Sequence, residues 1–298
     1  MTKRRKLLFG ALGLYLLVII AVVIVGGATR NDNDEFQPQE EFRLISWIDL
    51  PGPFDINKGV LYVVMAAILT CGTMVYIAKR MQGRPNRVQT AVETLYVAMR
   101  DNITRGNMDE KMAAKWFPFI GAAFLFIWYS NLIGYIPLPT NSHEPFTLLG
   151  IEIPSFALYA ATANVSVPLV LALVVFIAFN VEGIRAKGPV GYVKSLIPEG
   201  VKGPILFLIF PLEIASNFMR LLSLTVRLFA NILAGHLIIL FMSGGLTVLL
   251  GMEVLGVITL PFGVILFLFE VGLVATLQAF IFATLSAIYL GGAVADHH

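Results

Sequence analysis

Apolar residues run in blocks along this chain, and the blocks are longer than a soluble core requires. Uncharged or nearly uncharged stretches occupy Leu7 to Ala28, Val60 to Ile77, about Trp116 to Pro137 and about Val165 to Val181. Each is close to the roughly 20 helical residues that cross a hydrocarbon core about 30 Å thick. Two further runs, about 204–250 and 255–292, are almost continuously apolar. A helix of about 40 residues would be about 60 Å long, twice the hydrocarbon thickness. Each long run must therefore be steeply tilted, broken or folded back. Ser243-Gly244-Gly245 and Pro261 are the candidate breaks, and the turn between the runs falls near Gly251 to Gly256. The pattern predicts an all-α polytopic membrane protein with about six membrane helices, the last two long and tilted.

The connecting segments divide the chain further. Residues 1–6 form a basic tail (TKRRK at 2–6), 7–28 a first span, 29–58 an external segment and 59–298 the main domain. The Leu7 to Ala28 run is 22 residues long, against about 7 to 15 for the apolar part of a secretory signal. That length favours an uncleaved anchor over a cleaved presequence. Residues 86–105 place Val88, Val92, Leu95 and Met99 at helical spacing opposite charged groups, which predicts an amphipathic helix on the membrane surface. The loop with His143, Glu144 and Glu152 carries no Lys or Arg.

Composition supports the membrane reading, since only 13% of residues are charged and 57% are hydrophobic. Soluble domains carry about a quarter charged residues. A soluble enzyme, a disordered tail and a nucleic-acid binder are excluded. Cys71 is the only cysteine, so no intrachain disulfide forms, and its apolar surroundings suit a small packing residue. No CxxC, HExxH, GxSxG, GxGxxG or P-loop lysine motif occurs, so no metal, cofactor or catalytic nucleophile is expected.

Net charge is +2, but the 21 Lys and Arg are clustered. Sixteen lie in the tail, in 79–115 and in 182–203, and three in the external segment. This bias predicts that those three regions are cytoplasmic and that both termini are inside. The two basic residues left over, Arg220 and Arg227, sit within the apolar last third.

They belong to a stripe. At about 100° per residue from Arg227, the side chains of Glu213, Ser216, Arg220, Ser223 and Asn231 all fall within about 40° of it. Lipid cannot satisfy such groups, so the stripe must face protein or water. Arg227 keeps its charge and costs at least about 2.5 to 3.5 kcal/mol at mid-membrane, so it needs an anion. That anion is Glu270 of the neighbouring helix, a headgroup reached by snorkelling, or a group on another chain. His236 falls about 180° away, on the opposite face, and imidazole suits proton transfer near neutral pH. Glu270 and Gln278 add a carboxyl and an amide in the last run. Asn131 and Asn180 in the middle spans fit interhelical hydrogen bonding.

Ser223 to His236 (SLTVRLFANILAGH) and Leu277 to Leu290 (LQAFIFATLSAIYL) closely resemble subunit a of rotary F-type ATP synthases. Leu212-Glu213, Asn131-Leu132-Ile133 through Pro137, and Thr162 to Val167 (TANVSV) add to the likeness, which covers roughly residues 45–295. The resemblance implies a stator subunit of the proton-translocating complex, without a catalytic site of its own. Its two last helices would form a hairpin against the c-ring, and its two half-channels would couple proton flow to ring rotation and ATP synthesis. It implies the c-ring, the b-subunit peripheral stalk, the rest of the complex and the lipid bilayer as partners, with no nucleic acid, in a bacterial plasma (inner) membrane. By position, Arg227 matches the arginine that meets the c-subunit carboxylate. Asn231 and Gln278 match its polar neighbours, His236 an outer half-channel residue, and Ser223 and Glu213 the cytoplasmic lining.

Three departures accompany the match. Gly134 stands where some members carry aspartate. Glu270 precedes Gln278 by eight residues where many members have seven, which turns the pair from about 20° to about 80° apart on a regular helix. The first span has no counterpart in many members. A secondary transporter of another family is the alternative reading, and a membrane enzyme is disfavoured by the missing catalytic groups.

Overall fold

The computed structural model describes residues 44, 46–48, 56–80, 86–148, 151–197, 204–242 and 253–295. The first span, at 7–28, and the candidate break at Ser243 to Gly245 lie outside them. Five described helices are long and apolar enough to cross a membrane, which gives the all-α polytopic fold that the hydrophobic blocks predict.

Helix α1 runs over Lys58–Arg80, α2 over Arg87–Val97 and α3 over Glu110–Gly134. Helix α4 covers Ser166–Ser195, α5 Leu206–Leu240, α6 Glu253–Phe269 and α7 Ala275–Val294. Two small antiparallel pairs lie in the connections. Strands β1 (Ser46–Ile48) and β2 (Ile56–Asn57) precede α1, while β3 (Leu138–Leu148) and β4 (Ile151–Ala157) build a hairpin from the loop between α3 and α4. Its alternation is interrupted by prolines and polar residues, so nothing in the hydrophobic pattern marked it as strand.

The amphipathic helix begins where Asn86 accepts a hydrogen bond from Gln89 N–H at 2.8 Å. It continues past Val97 as a π-helical segment, Ala98–Thr104. Its apolar face is not uniformly turned to lipid. Val88 is exposed, but Met99 and Ile103 are buried in the protein's own core, and Tyr96 packs edge-on against Phe117 of α3.

Residues within 44–232 and 273–298 form one compact unit, and 233–272 fall in a second. The core of the first joins Ile120, Phe124 and Ile127 of α3 with Val175 and Phe179 of α4, Leu224, Leu228 and Ile232 of α5, and Phe282 and Leu290 of α7. Helix α7 presents Ala275, Ala279, Ala283 and Ala287, four residues apart and all buried. Small residues on one face let helix backbones approach, which matters in lipid because apolar burial alone does not drive helices together. Helix α1 keeps most of its surface outward: Val64, Ile68, Leu69 and Val75 are exposed, as is Cys71. The cysteine therefore does not pack in the core.

Two breaks differ from the expected ones. Pro261 lies inside α6 without ending it, whereas the helical run changes to a π turn at Glu270–Val274. In α4, Gly188 adopts φ 72°, ψ 162° ahead of Pro189, a left-handed conformation that glycine tolerates and that suits a residue before proline. The chain folds back there. Tyr192 Oη donates to Asn180 Oδ1 at 2.9 Å, although twelve residues of straight helix would hold them about 18 Å apart. Among the described residues, the basic segment after Val181 is thus helical as far as Ser195.

Candidate functional site

Helix α5 carries the polar stripe, and the structure shows what its other side does. Leu224, Leu228 and Ile232 recur every four residues and are buried against α3, α4 and α7. That packing turns Ser216, Arg220, Ser223 and Asn231 to the exposed side, with Glu213 and Arg227 half-buried. The stripe therefore lies along an open face of the unit.

Arg227 donates from Nη2 to Ser223 Oγ at 3.5 Å, one turn earlier on the same helix. Among the described residues of its unit, no carboxylate pairs with it. Arg220 behaves differently. Its guanidinium lies 5.4 Å from the Tyr289 ring centroid and 6.0 Å from that of Phe179, so aromatic faces of α4 and α7 hold the second cation. Beside it, Asn217 Nδ2 donates to Asn180 Oδ1 at 3.0 Å.

Gln278 is buried on the inner face of α7, next to Ala279. A little further out, Asn131 Nδ2 donates to Ala275 O at 3.4 Å and Asn131 Oδ1 accepts from Thr162 Oγ1 at 2.7 Å. Trp128 Nε1 donates to Thr276 Oγ1 at 3.1 Å. Asn131 therefore ties α3 to α7 and to the Ala161–Ala163 turn, the bonding role its place in a span predicts.

Glu270 and His236 lie in the second unit. His236 is buried. The Glu270 carboxyl rests against α5 at the preceding residue, Gly235, where an added Cβ would stand 2.5 Å from Glu270 Cδ and Oε2 and 2.6 Å from Oε1. A β-carbon there would oblige the carboxylate to shift from this position. Gly134 has a comparable reason: its Cβ would come within 2.5 Å of Ala160 Cβ and 2.6 Å of Ala160 Cα. An aspartate at this position would collide with Ala160 unless the 158–160 segment moved.

The geometry thus yields, among the described residues, a cation without a carboxylate partner in its unit on an exposed helix face, and separately a buried imidazole one residue from a glycine-seated carboxyl. The model of the ATP synthase A chain family matches residues 60–291. The chain belongs to that family. ATP synthase subunit a of Nocardioides sp. is 34% identical over 252 residues, which span 82% of this chain and 83% of the relative. The subunit a of Myxococcus xanthus is 32% identical over 260 residues, 84% of this chain and 78% of the relative. That of Rubrobacter xylanophilus is 34% identical over 237 residues, 79% and 83% of the two chains. The match to the ATP synthase A chain family begins just inside α1 and ends in α7, so it takes in both units.

Reasoning from sequence missed Gly235 as the seat of Glu270, the rings around Arg220 and the π turn after Glu270. An unbroken apolar stretch carries no signal for the last two. Gly235 was legible only as a small residue beside His236. Among the described residues no group of three or more His, Cys, Asp or Glu is placed to hold a metal.

Proposed function

We propose that Arg227 is the stator charge that meets the ionised carboxylate of each c-subunit as the ring turns. The chain is an integral multi-pass subunit of the membrane sector of ATP synthase, where proton flow is coupled to ATP synthesis. The observation that carries the proposal is an arginine that cannot deprotonate, on an open helix face, with only Ser223 as its side-chain partner among the described residues of its unit.

The rest follows from electrostatics. A ring carboxylate cannot stay ionised against lipid, so it is protonated there and ionises only opposite Arg227 or an aqueous cavity. His236 and Glu270 serve the outer half-channel, Glu213 and Ser223 the cytoplasmic one, and Asn231 and Gln278 stand beside Arg227. Each proton enters by one half-channel and leaves by the other after nearly a full rotation. Arg227 prevents direct leakage between them, and each charge moved through 100 mV supplies about 2.3 kcal/mol.

The π turn bears on Glu270. A π turn holds one residue more than an α turn. The extra residue held by Glu270–Val274 supports reading the eight-residue spacing to Gln278 as the counterpart of the family's usual seven. We further propose that the b-subunit stalk and the c-ring are the chain's partners, that both termini are cytoplasmic and that the membrane is a bacterial inner membrane. The positive-inside bias supports that orientation. The chain itself carries no catalytic site in this proposal. Replacing Arg227 by Ala is the test: assembled complexes should lose coupled ATP synthesis and proton pumping, and persistence of either would overturn the assignment.

A further inference from the structure

Helices α3 and α4 line an open groove of about 410 Å³ whose walls include no residue of the polar stripe. Its walls are Phe119 on α3 and Val174, Ile177 and Val181 on α4, and its rim carries Lys115, Glu182 and Arg185. From Val174 to Arg185 the groove runs about 16 Å along α4, roughly half the hydrocarbon thickness, the depth of one leaflet.

The charges at the rim do not balance. Lys115 Nζ lies 2.7 Å and Arg185 Nη1 3.3 Å from the same oxygen, Oε1 of Glu182, and neither cation has another ion-pair partner among the described residues. Glu182 is nearly buried, while the two cations keep more than half of their side-chain surface. One carboxylate thus serves two exposed cations, leaving one positive charge to be met from outside. Trp116 lies beside them with its ring 5.8 Å from Lys115 Nζ, and its buried Nε1 donor has no partner among the described residues. A tryptophan with cations at the end of an apolar groove marks headgroup depth.

We infer that this groove is a site for one anionic phospholipid, its phosphate between Lys115 and Arg185 and an acyl chain along Phe119, Val174 and Ile177. A ligand charged at one end and apolar for one leaflet fits both the charge and the length. Basic pockets between membrane helices hold lipid headgroups by the same electrostatics. The inference goes beyond the proton path and needs none of its residues.

The test uses the assembled complex in nanodiscs with photoactivatable phosphatidylglycerol or phosphatidylcholine. The phosphatidylglycerol probe should label α3 or α4 beside the groove, well above phosphatidylcholine. Lys115→Gln with Arg185→Gln should cut that labelling about 25-fold, roughly fivefold per cation. Ile177→Trp, which fills the groove and leaves the Glu182 ion pairs intact, should cut it too, so the inference stays testable if the charge variant fails to assemble. Equal labelling by both lipids, undiminished labelling of Ile177→Trp, or cross-linking of Ile177→Cys to another subunit in place of lipid would overturn it. Proton pumping is not the readout, so failure here and failure of the Arg227 assignment are distinguishable.

Discussion

The carboxyl group of Glu270 is seated on the backbone of Gly235, where a β-carbon would lie 2.5 Å from Glu270 Cδ. Under the proposed proton path, this contact keeps a titratable oxygen next to the residue that precedes His236. Gly235→Ala removes the seat without touching a charge. Displacing a proton-transfer group by about 1 Å can cost about 100-fold. Assembled Gly235→Ala complexes should therefore show ATP-driven proton pumping reduced at least about tenfold. Unchanged pumping in inverted vesicles would mean that the seat has no functional role.

Two glycines of α3 should respond in opposite directions. At Gly121 an added Cβ meets nothing within 4 Å, whereas at Gly134 it strikes Ala160. Gly121→Ala should stabilise the helix by up to about 1 kcal/mol. Gly134→Ala should destabilise by about 1–3 kcal/mol through overpacking. Thermal melting of the purified complex orders the two. A Gly134→Ala protein as stable as its parent would refute the close approach of α3 to the 158–160 segment.

Much of the architecture was legible because lipid imposes simple rules. Among the described residues the apolar blocks of span length became helices, although α3 starts at Glu110, before Trp116, and α4 continues past Val181 to Ser195. The stripe on α5 is open because its 3.6-residue period also fixes Leu224, Leu228 and Ile232 as its buried complement. What escaped were features decided by backbone geometry inside uniformly apolar sequence. Pro261 reads as a break, yet a helix in a bundle can absorb a proline when neighbours re-satisfy the freed carbonyl. The π turn at Glu270–Val274 has no compositional mark at all. The reversal at Gly188 could have been read from the Gly-Pro pair, since the residue before proline avoids helical angles.

Tyr159 gives a test by pH. It is buried between α1 and α3, with its ring 5.5 Å from that of Tyr62 and Lys58 Nζ 5.1 Å from its centroid. Burial pushes its phenol up to about 12, with a hydrogen bond to Asn164 acting weakly the other way. The neutral form is thus favoured in the folded state. The stabilisation is full below pH 10, the unfolded value, and is lost as pH rises toward about 12. Ultraviolet difference titration of the parent against Tyr159→Phe should show one phenol ionising near pH 12. If that phenol ionises with the exposed tyrosines instead, the packing of this cluster is wrong.

The π turn after Glu270 invites a direct manipulation. On a regular helix, eight residues leave two side chains about 80° apart and seven leave them about 20° apart. If the turn exists to absorb the eighth residue, removing one residue should abolish the turn and keep the angle. Gly272 suits the purpose because it lies within the turn, has no side chain, and its Cα faces open space. Deleting Gly272 should therefore leave ATP-driven pumping near the parent level, and Glu270→Gln should abolish it in both backgrounds. Inserting alanine after Gly272 should instead rotate Glu270 by about 100° relative to Gln278 and stop pumping. Loss of pumping on deletion, in complexes that still assemble, would show that the angular register is not what the turn preserves.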